Sequence, residues 1–497
     1  MEQEEGPRLV YSGLVLFAAK ILSVGTGMLF TLMITRTVPT EEYGIWLNVN
    51  LDIITYFTLL ASAIPFWTMR FVARKHEGSA KTGVISNFIL ALVSAAIYVA
   101  LAPFILSALG VSEKYLVLYL VAGFQVIEIY LIRAFEAVLR VIKIEALGYG
   151  LLIAEIIKVV VAYFLIIRFG FGLIGAMFGL VIAFLIQIFY YLRLSWSYLR
   201  GRIVWGYFKE WLKGSLINIY NVVGARLSSF SLILLFAIAG EAARAYYGAS
   251  TQIASVISYS TFLAFALYPR LLMGKGEEDV AMSIKLFFMF AIPMTVGAIL
   301  FADSYLIILD VKYAVAVEIL QLMAVLILIR SFCQVLDFVI FGTERFDLKA
   351  KIPFAKLVKS RLFAVFSLPF INAGIVLPLT YFVLTTMKLD PLSSAFYTVV
   401  IMLVASMVLL GIRCVLVRKS PQFVFPWVSI LKYVVASAVM AIFLLVIPHP
   451  KRLSITLLYT VVAGAIYFLT LMLIEEEARE LVKLTFREIK MKFREFR

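Results

Sequence analysis

The sequence predicts an all-α polytopic membrane protein of about 14 transmembrane helices, arranged as two six-helix lobes related by a parallel internal repeat plus two extra C-terminal helices. Three observations predict it. The chain of 497 residues is 63% hydrophobic and only 15% charged, whereas soluble domains need about 25% charged residues to cover their surface. Its apolar residues gather into long segments, each able to cross a hydrocarbon core about 30 Å thick as a helix rising 1.5 Å per residue. Short residue clusters also recur, in order, about 200 positions apart.

The length rule yields fourteen segments: 11–35, 45–69, 84–109, 115–139, 147–167, 173–192, 214–239, 246–269, 286–302, 314–343, 362–387, 391–412, 426–448 and 453–474. The acidic N-terminus, with no small-residue cleavage site after the first segment, reads as a retained helix rather than a signal peptide. Pro353, Pro369 and Pro378 interrupt the pattern over 350–390, which suits either a kinked span or a re-entrant piece. Lysines and arginines set the orientation: 31 fall on the side that holds both termini, 8 on the other and 6 within spans. That asymmetry places both termini in the cytoplasm and the chain in the cell membrane. The net charge of +15 is therefore a topology signal facing anionic lipid, and no nucleic-acid partner is expected. Cys333, Cys414, His76 and His449 are too few and too scattered for a disulfide framework or a metal site.

Tyr43-Gly44 recurs as Tyr247-Gly248 and Pro65 as Pro269, each 204 residues on. Lys114-Tyr115 recurs as Lys312-Tyr313 after 198, and Leu131-Ile132-Arg133 as Leu328-Ile329-Arg330 after 197. Six spans separate the copies, so both enter the membrane in the same direction, and a cavity is expected between the two lobes. The N-lobe then covers 1–195, a cytoplasmic linker 196–213, the C-lobe 214–419 and the two extra spans 420–474. In the tail, 475–497, Val482, Phe486, Ile489, Phe493 and Phe496 form a stripe flanked by bases. It reads as a basic amphipathic helix on the cytoplasmic leaflet.

Spans in the order six plus six plus two, the element Arg36-Thr-Val-Pro-Thr-Glu-Glu-Tyr-Gly before span two, and the segment from Tyr247-Gly248 to Pro269 together carry a resemblance. The chain resembles polysaccharide and oligosaccharide-lipid flippases of the Wzx type, within the multidrug/oligosaccharidyl-lipid/polysaccharide exporter superfamily. The resemblance implies movement of a polyprenyl-diphosphate-linked oligosaccharide to the outer leaflet by alternating access, without catalysis. It implies glycosyltransferases or a polymerase of polysaccharide assembly as partners. Some relatives use acids in spans one and seven for cation coupling; here span one has no acid, and span seven carries Asn218 and Asn221 instead. Two competing readings are a multidrug or organic-cation exporter of the same superfamily and a membrane enzyme or scaffold of polysaccharide assembly. No Walker sequence, glycine-rich nucleotide loop or nucleophile elbow occurs, so neither a cofactor nor an enzyme activity is expected.

Ionisable residues inside spans are costly and mark cavities or partners. Arg226, Lys20, Arg330 and Lys158 are the candidate diphosphate contacts, because a fixed cation, and arginine's planar fork above all, matches phosphate oxygens. Arg226 has no acid within a turn, while Lys158 lies three residues from Glu155 and is equally suited to neutralising it. Asp52, Glu155, Asp337, Asn218 and Asn221 are the candidates for ion coupling. Asp337 also suits an ion pair with Arg330.

Overall fold

The computed structural model describes residues 22–23, 25–73, 75–143, 145–264, 277–343, 360–418, 423–476 and 479. Lys20, Pro269 and the amphipathic stripe of the tail lie outside the described residues. All regular structure among the described residues is helical. Among the described residues eleven helices are long and apolar enough to cross a membrane. They correspond to spans three to seven and nine to fourteen, running from Ser79–Ala108 to Leu453–Ile474. The stretch around Pro369 and Pro378 is one continuous helix, Arg361–Thr386, which makes it a span and not a re-entrant piece.

Span three shows why such sequences fold inside out. Its buried face is mostly small or polar, with Ala80, Thr82, Gly83, Ser86, Asn87, Ala91, Ala95 and Ala102 beside the larger Val84, Tyr98 and Leu106. Leu92, Val93, Ile97 and Phe104 point outward. In lipid the outside is as apolar as the core, so close backbone approach across small residues holds helices together.

Three spans depart from the single long helix. Span one is described as the short apolar helix Gly25–Thr35. Span two is broken into an α-helix Thr40–Leu47, a π-helical stretch Asn48–Ile53, a short turn of α-helix Ile54–Phe57, and a second α-helix Ala63–Ala73. The cause is in the sequence: Pro65 has no N–H, and its ring excludes the carbonyl four residues back, at Ala61. Carbonyls at the break find partners from other spans: Tyr130 donates to Phe57 O at 3.1 Å and Asn87 to Ala61 O at 3.3 Å. Ser215 adds a bond to Ala63 O, at the start of the second helix, at 2.9 Å. Such internal satisfaction is what permits irregular backbone at membrane depth. Span eight is α-helical over Glu241–Ala254 and tightens into a 3₁₀ stretch, Ser255–Ala264. There Ser255, Ser258, Ser260 and Thr261 each bond the carbonyl three residues back.

The repeat is visible in local geometry. Glu113–Tyr115 and Val311–Ala316 are both 3₁₀ turns that lead into helices of 27 residues, Leu116–Ile142 and Val317–Thr343. In each turn the lysine lies over the following tyrosine ring, Lys114 at 4.6 Å and Lys312 at 5.4 Å. The two interrupted spans, two and eight, occupy corresponding places in the repeat.

Two compact units emerge: residues 1–245 with 380–394, and 246–379 with 395–497. In the first, Val84, Phe135, Leu139, Leu147 and Tyr191 form a core among spans three to six. In the second, the hairpin of spans thirteen and fourteen packs on span nine through Met289, Tyr433, Met440 and Tyr467. The Tyr467 hydroxyl donates to Met289 O at 2.6 Å.

Candidate functional site

Interruptions at matching places in two repeats are the backbone feature that most often marks a binding site in a transporter. The π-helical stretch of span two concentrates the polar groups of the first unit. Asn48 accepts a hydrogen bond from the Tyr119 hydroxyl at 2.9 Å, and Asn50 accepts one from Gln125 Nε2 at 2.9 Å. Asp52 is gripped by Arg244, Nε to Oδ2 at 2.7 Å and Nη2 to Oδ1 at 2.9 Å. The two side chains are 6% and 4% exposed.

Arg244 falls among the outer-side bases when the chain is counted by loops, yet it is buried in the helix Glu241–Ala254. Gly44 explains how it gets there. A Cβ on Gly44 would sit 2.0 Å from the Glu241 carbonyl oxygen, so the two helices meet backbone to backbone, and Arg244 tucks beneath the contact. Glu42 accepts from the Tyr115 hydroxyl at 2.9 Å, with Lys114 3.8 Å away.

Arg226 lies on Leu216–Ala239, one of the helices that packs on the π-helical stretch. The Tyr56 hydroxyl, one turn beyond Asp52, donates to its carbonyl at 2.9 Å. Its guanidinium is different from every other base discussed: half-buried, without an ion pair among the described residues, and with Nε enclosed and unbonded. Asn221 is half-buried on the same helix, and the side chain of Asn218 lies outside the described residues.

The remaining candidates are partnered. Lys158 bonds Glu155 at 2.6 Å and lies 5.5 Å from the Phe30 ring centroid. Glu155 also accepts from the Thr26 hydroxyl, which ties span one to span five. In the second unit Asp337 pairs with Arg413, at 2.8 and 3.1 Å, and not with Arg330 as its position suggested. Seven residues put Arg330 about 10 Å along the helix from Asp337, whereas Arg413 reaches across from span twelve. Arg330 is exposed, its Nε 3.4 Å from Ser406 Oγ. No group of three or more metal-ligating side chains occurs among the described residues.

Neither a protein-family model nor a curated protein matches the chain. Solved structures do. The lipid II flippase MurJ in an inward closed conformation aligns with a TM-score of 0.67 at 15% identity, over 95% of this chain and 100% of that one. An inward-facing multidrug resistance MATE family transporter of the MOP superfamily aligns at 0.61 and 14% identity, over 82% of this chain and 99% of its own. A MOP superfamily transporter from Pyrococcus furiosus, noted for the reverse polarity of its binding pocket, aligns at 0.55 and 14% identity, over 83% and 95%. The chain has the fold of the MATE and MurJ transporters of the MOP superfamily.

Proposed function

We propose that the protein is a flippase that moves a polyprenyl-diphosphate-linked oligosaccharide across the cell membrane by alternating access between two six-helix lobes. The observation that carries this reading is the extent of the likeness. It covers 95% of the chain with the lipid II flippase but 82% with the inward-facing MATE transporter. A lipid-borne substrate would give the two spans beyond the repeat a task.

Charge supports the same substrate. Asp52, Glu155 and Asp337 are each held by a base, so none of the three is offered to an organic cation, while Arg226 pairs with no acid among the described residues and presents a fixed positive charge. Diphosphate oxygens would meet Arg226, with Lys20, Arg330 and Lys158 as further contacts. Lys158 serves only if the anion takes the place of Glu155. Glycosyltransferases or a polymerase would supply or consume the lipid-linked sugar.

The test is a proteoliposome assay with a fluorescent polyprenyl-diphosphate oligosaccharide. Loss of a charge-assisted contact worth about 1.5–3 kcal/mol slows flipping by Arg226→Ala roughly ten- to a hundredfold. Arg226→Lys retains part of the rate. Unchanged flipping by Arg226→Ala overturns the site; movement of organic cations and not of the lipid by wild type overturns the function.

A further inference from the structure

Among the acids within the spans, Glu128 stands apart. It lies on Leu116–Ile142, about 18 Å from the outer end of that helix and about 21 Å from the cytoplasmic end at 1.5 Å per residue. That is close to the membrane midplane. The residue is 3% exposed, and both carboxyl oxygens are buried with no hydrogen-bond partner among the described residues. No base pairs with it there either.

The groups on the elements packed against this helix are committed elsewhere. Asp52 holds Arg244, and Glu155 holds Lys158. On spans two, three and six, Tyr56, Tyr98 and Tyr191 donate to backbone carbonyls. On the helix itself Tyr119 donates to Asn48, Tyr130 to Phe57 O, and Arg133 bonds Glu136. Lys81, Arg70, Arg193 and Glu145 sit towards the cytoplasmic ends of their helices.

An ionised carboxylate enclosed this way carries a desolvation penalty of several kcal/mol with nothing to offset it, whereas the neutral acid carries far less. One turn before Glu128, Gln125 links the helix to Asn50 in the π-helical stretch of span two, and its own Oε1 is buried and unbonded. A π-helical insertion is a frequent mark of a functional rearrangement. Here it sits against the helix that holds Glu128.

We propose that Glu128 is the proton-binding site of the transport cycle. It holds a proton in the closed surroundings of this structure. A shift of the π-helical stretch that breaks the Asn50–Gln125 bond admits water, and the proton leaves to it as a hydronium ion. The proton-binding half of this proposal stands on geometry alone; the coupling half rests on the transporter reading.

Dicyclohexylcarbodiimide, an apolar reagent that adds to protonated carboxyls, tests the first half on the purified full-length chain, with adducts located by peptide mass spectrometry. The expected result is an adduct at Glu128 whose yield falls as pH rises, absent in Glu128→Gln and retained in Glu128→Asp. No adduct at any pH, a yield indifferent to pH, or protection by sodium ion at constant pH overturns it. The second half is read in proteoliposomes with an imposed pH gradient and the fluorescent lipid. A gradient of one unit stimulates wild type by up to about tenfold. Glu128→Gln, monodisperse by size exclusion, flips without responding to the gradient. A gradient response in Glu128→Gln equal to wild type overturns the coupling while leaving the flippase reading intact. If wild type moves no lipid at all, the flippase reading fails while the labelling result stands.

Discussion

The Asp52–Arg244 pair gives the sharpest energetic prediction. Two contacts at 2.7 and 2.9 Å join side chains 6% and 4% exposed, so water screens them little. At an effective dielectric of about 20 the attraction is roughly 6 kcal/mol, much of it cancelled by desolvating both ions. Removing one partner forfeits the attraction and leaves the other charge buried. Arg244→Met and Asp52→Leu should therefore each lose about 3–5 kcal/mol of unfolding free energy. The double variant removes both charges and replaces them with apolar groups of similar bulk, so it should stay within about 1 kcal/mol of wild type. Equilibrium unfolding in mixed detergent–denaturant micelles measures all four proteins, and the double-mutant cycle isolates the pair. Single variants as stable as wild type would refute the reasoning. So would a double variant that loses the sum of the two, because the cost would then lie in packing and not in orphaned charge.

Two further predictions follow from backbone geometry. Gly44→Val places a branched side chain where even a Cβ meets the Glu241 carbonyl oxygen, so the helices must part. The expected loss is about 1–3 kcal/mol in the same unfolding assay, with Arg244 newly reactive towards phenylglyoxal; Gly206→Ala, which meets nothing within 4 Å, is the control. Asp390 caps span twelve, accepting from Leu392 N at 3.1 Å and Ser393 N at 3.3 Å ahead of Pro391. The Ser393 hydroxyl first, and then these backbone N–H groups, hold its carboxyl below the usual range. A depressed folded value means the contribution is complete above about pH 4 and fades as pH falls through that lower value. For this exposed residue Asp390→Ala should cost about 0.5 kcal/mol at neutral pH and nothing in strong acid, read as the difference between the two unfolding curves.

The segments that span are a local property. Twenty apolar residues in a row exclude every alternative to a helix in lipid, so hydropathy alone located the long spans. The Lys-Tyr turns were likewise legible as repeated residues, because a repeat preserves local geometry along with sequence. Pro65 was legible only as a repeated residue; that span two breaks before it, and turns π-helical over Asn48–Ile53, emerged from the tertiary structure.

What a buried charge faces is not local. Asp52 and Arg244 are 192 residues apart, and Asp337 and Arg413 are 76 apart. Spacing along one helix pointed Asp337 towards Arg330 instead. Glu155 and Lys158 were readable because three residues on a helix bring side chains together without help from any other element. Only the packing of helices on one another decided that Asp52 is held and that, among the described residues, Arg226 is left without an acid and Glu128 is enclosed with nothing to bond. A chain in lipid reveals by itself which residues it must bury; which partner each buried charge finds depends on which helices come to lie side by side, and that is set by small residues such as Gly44, whose effect is felt only across the contact.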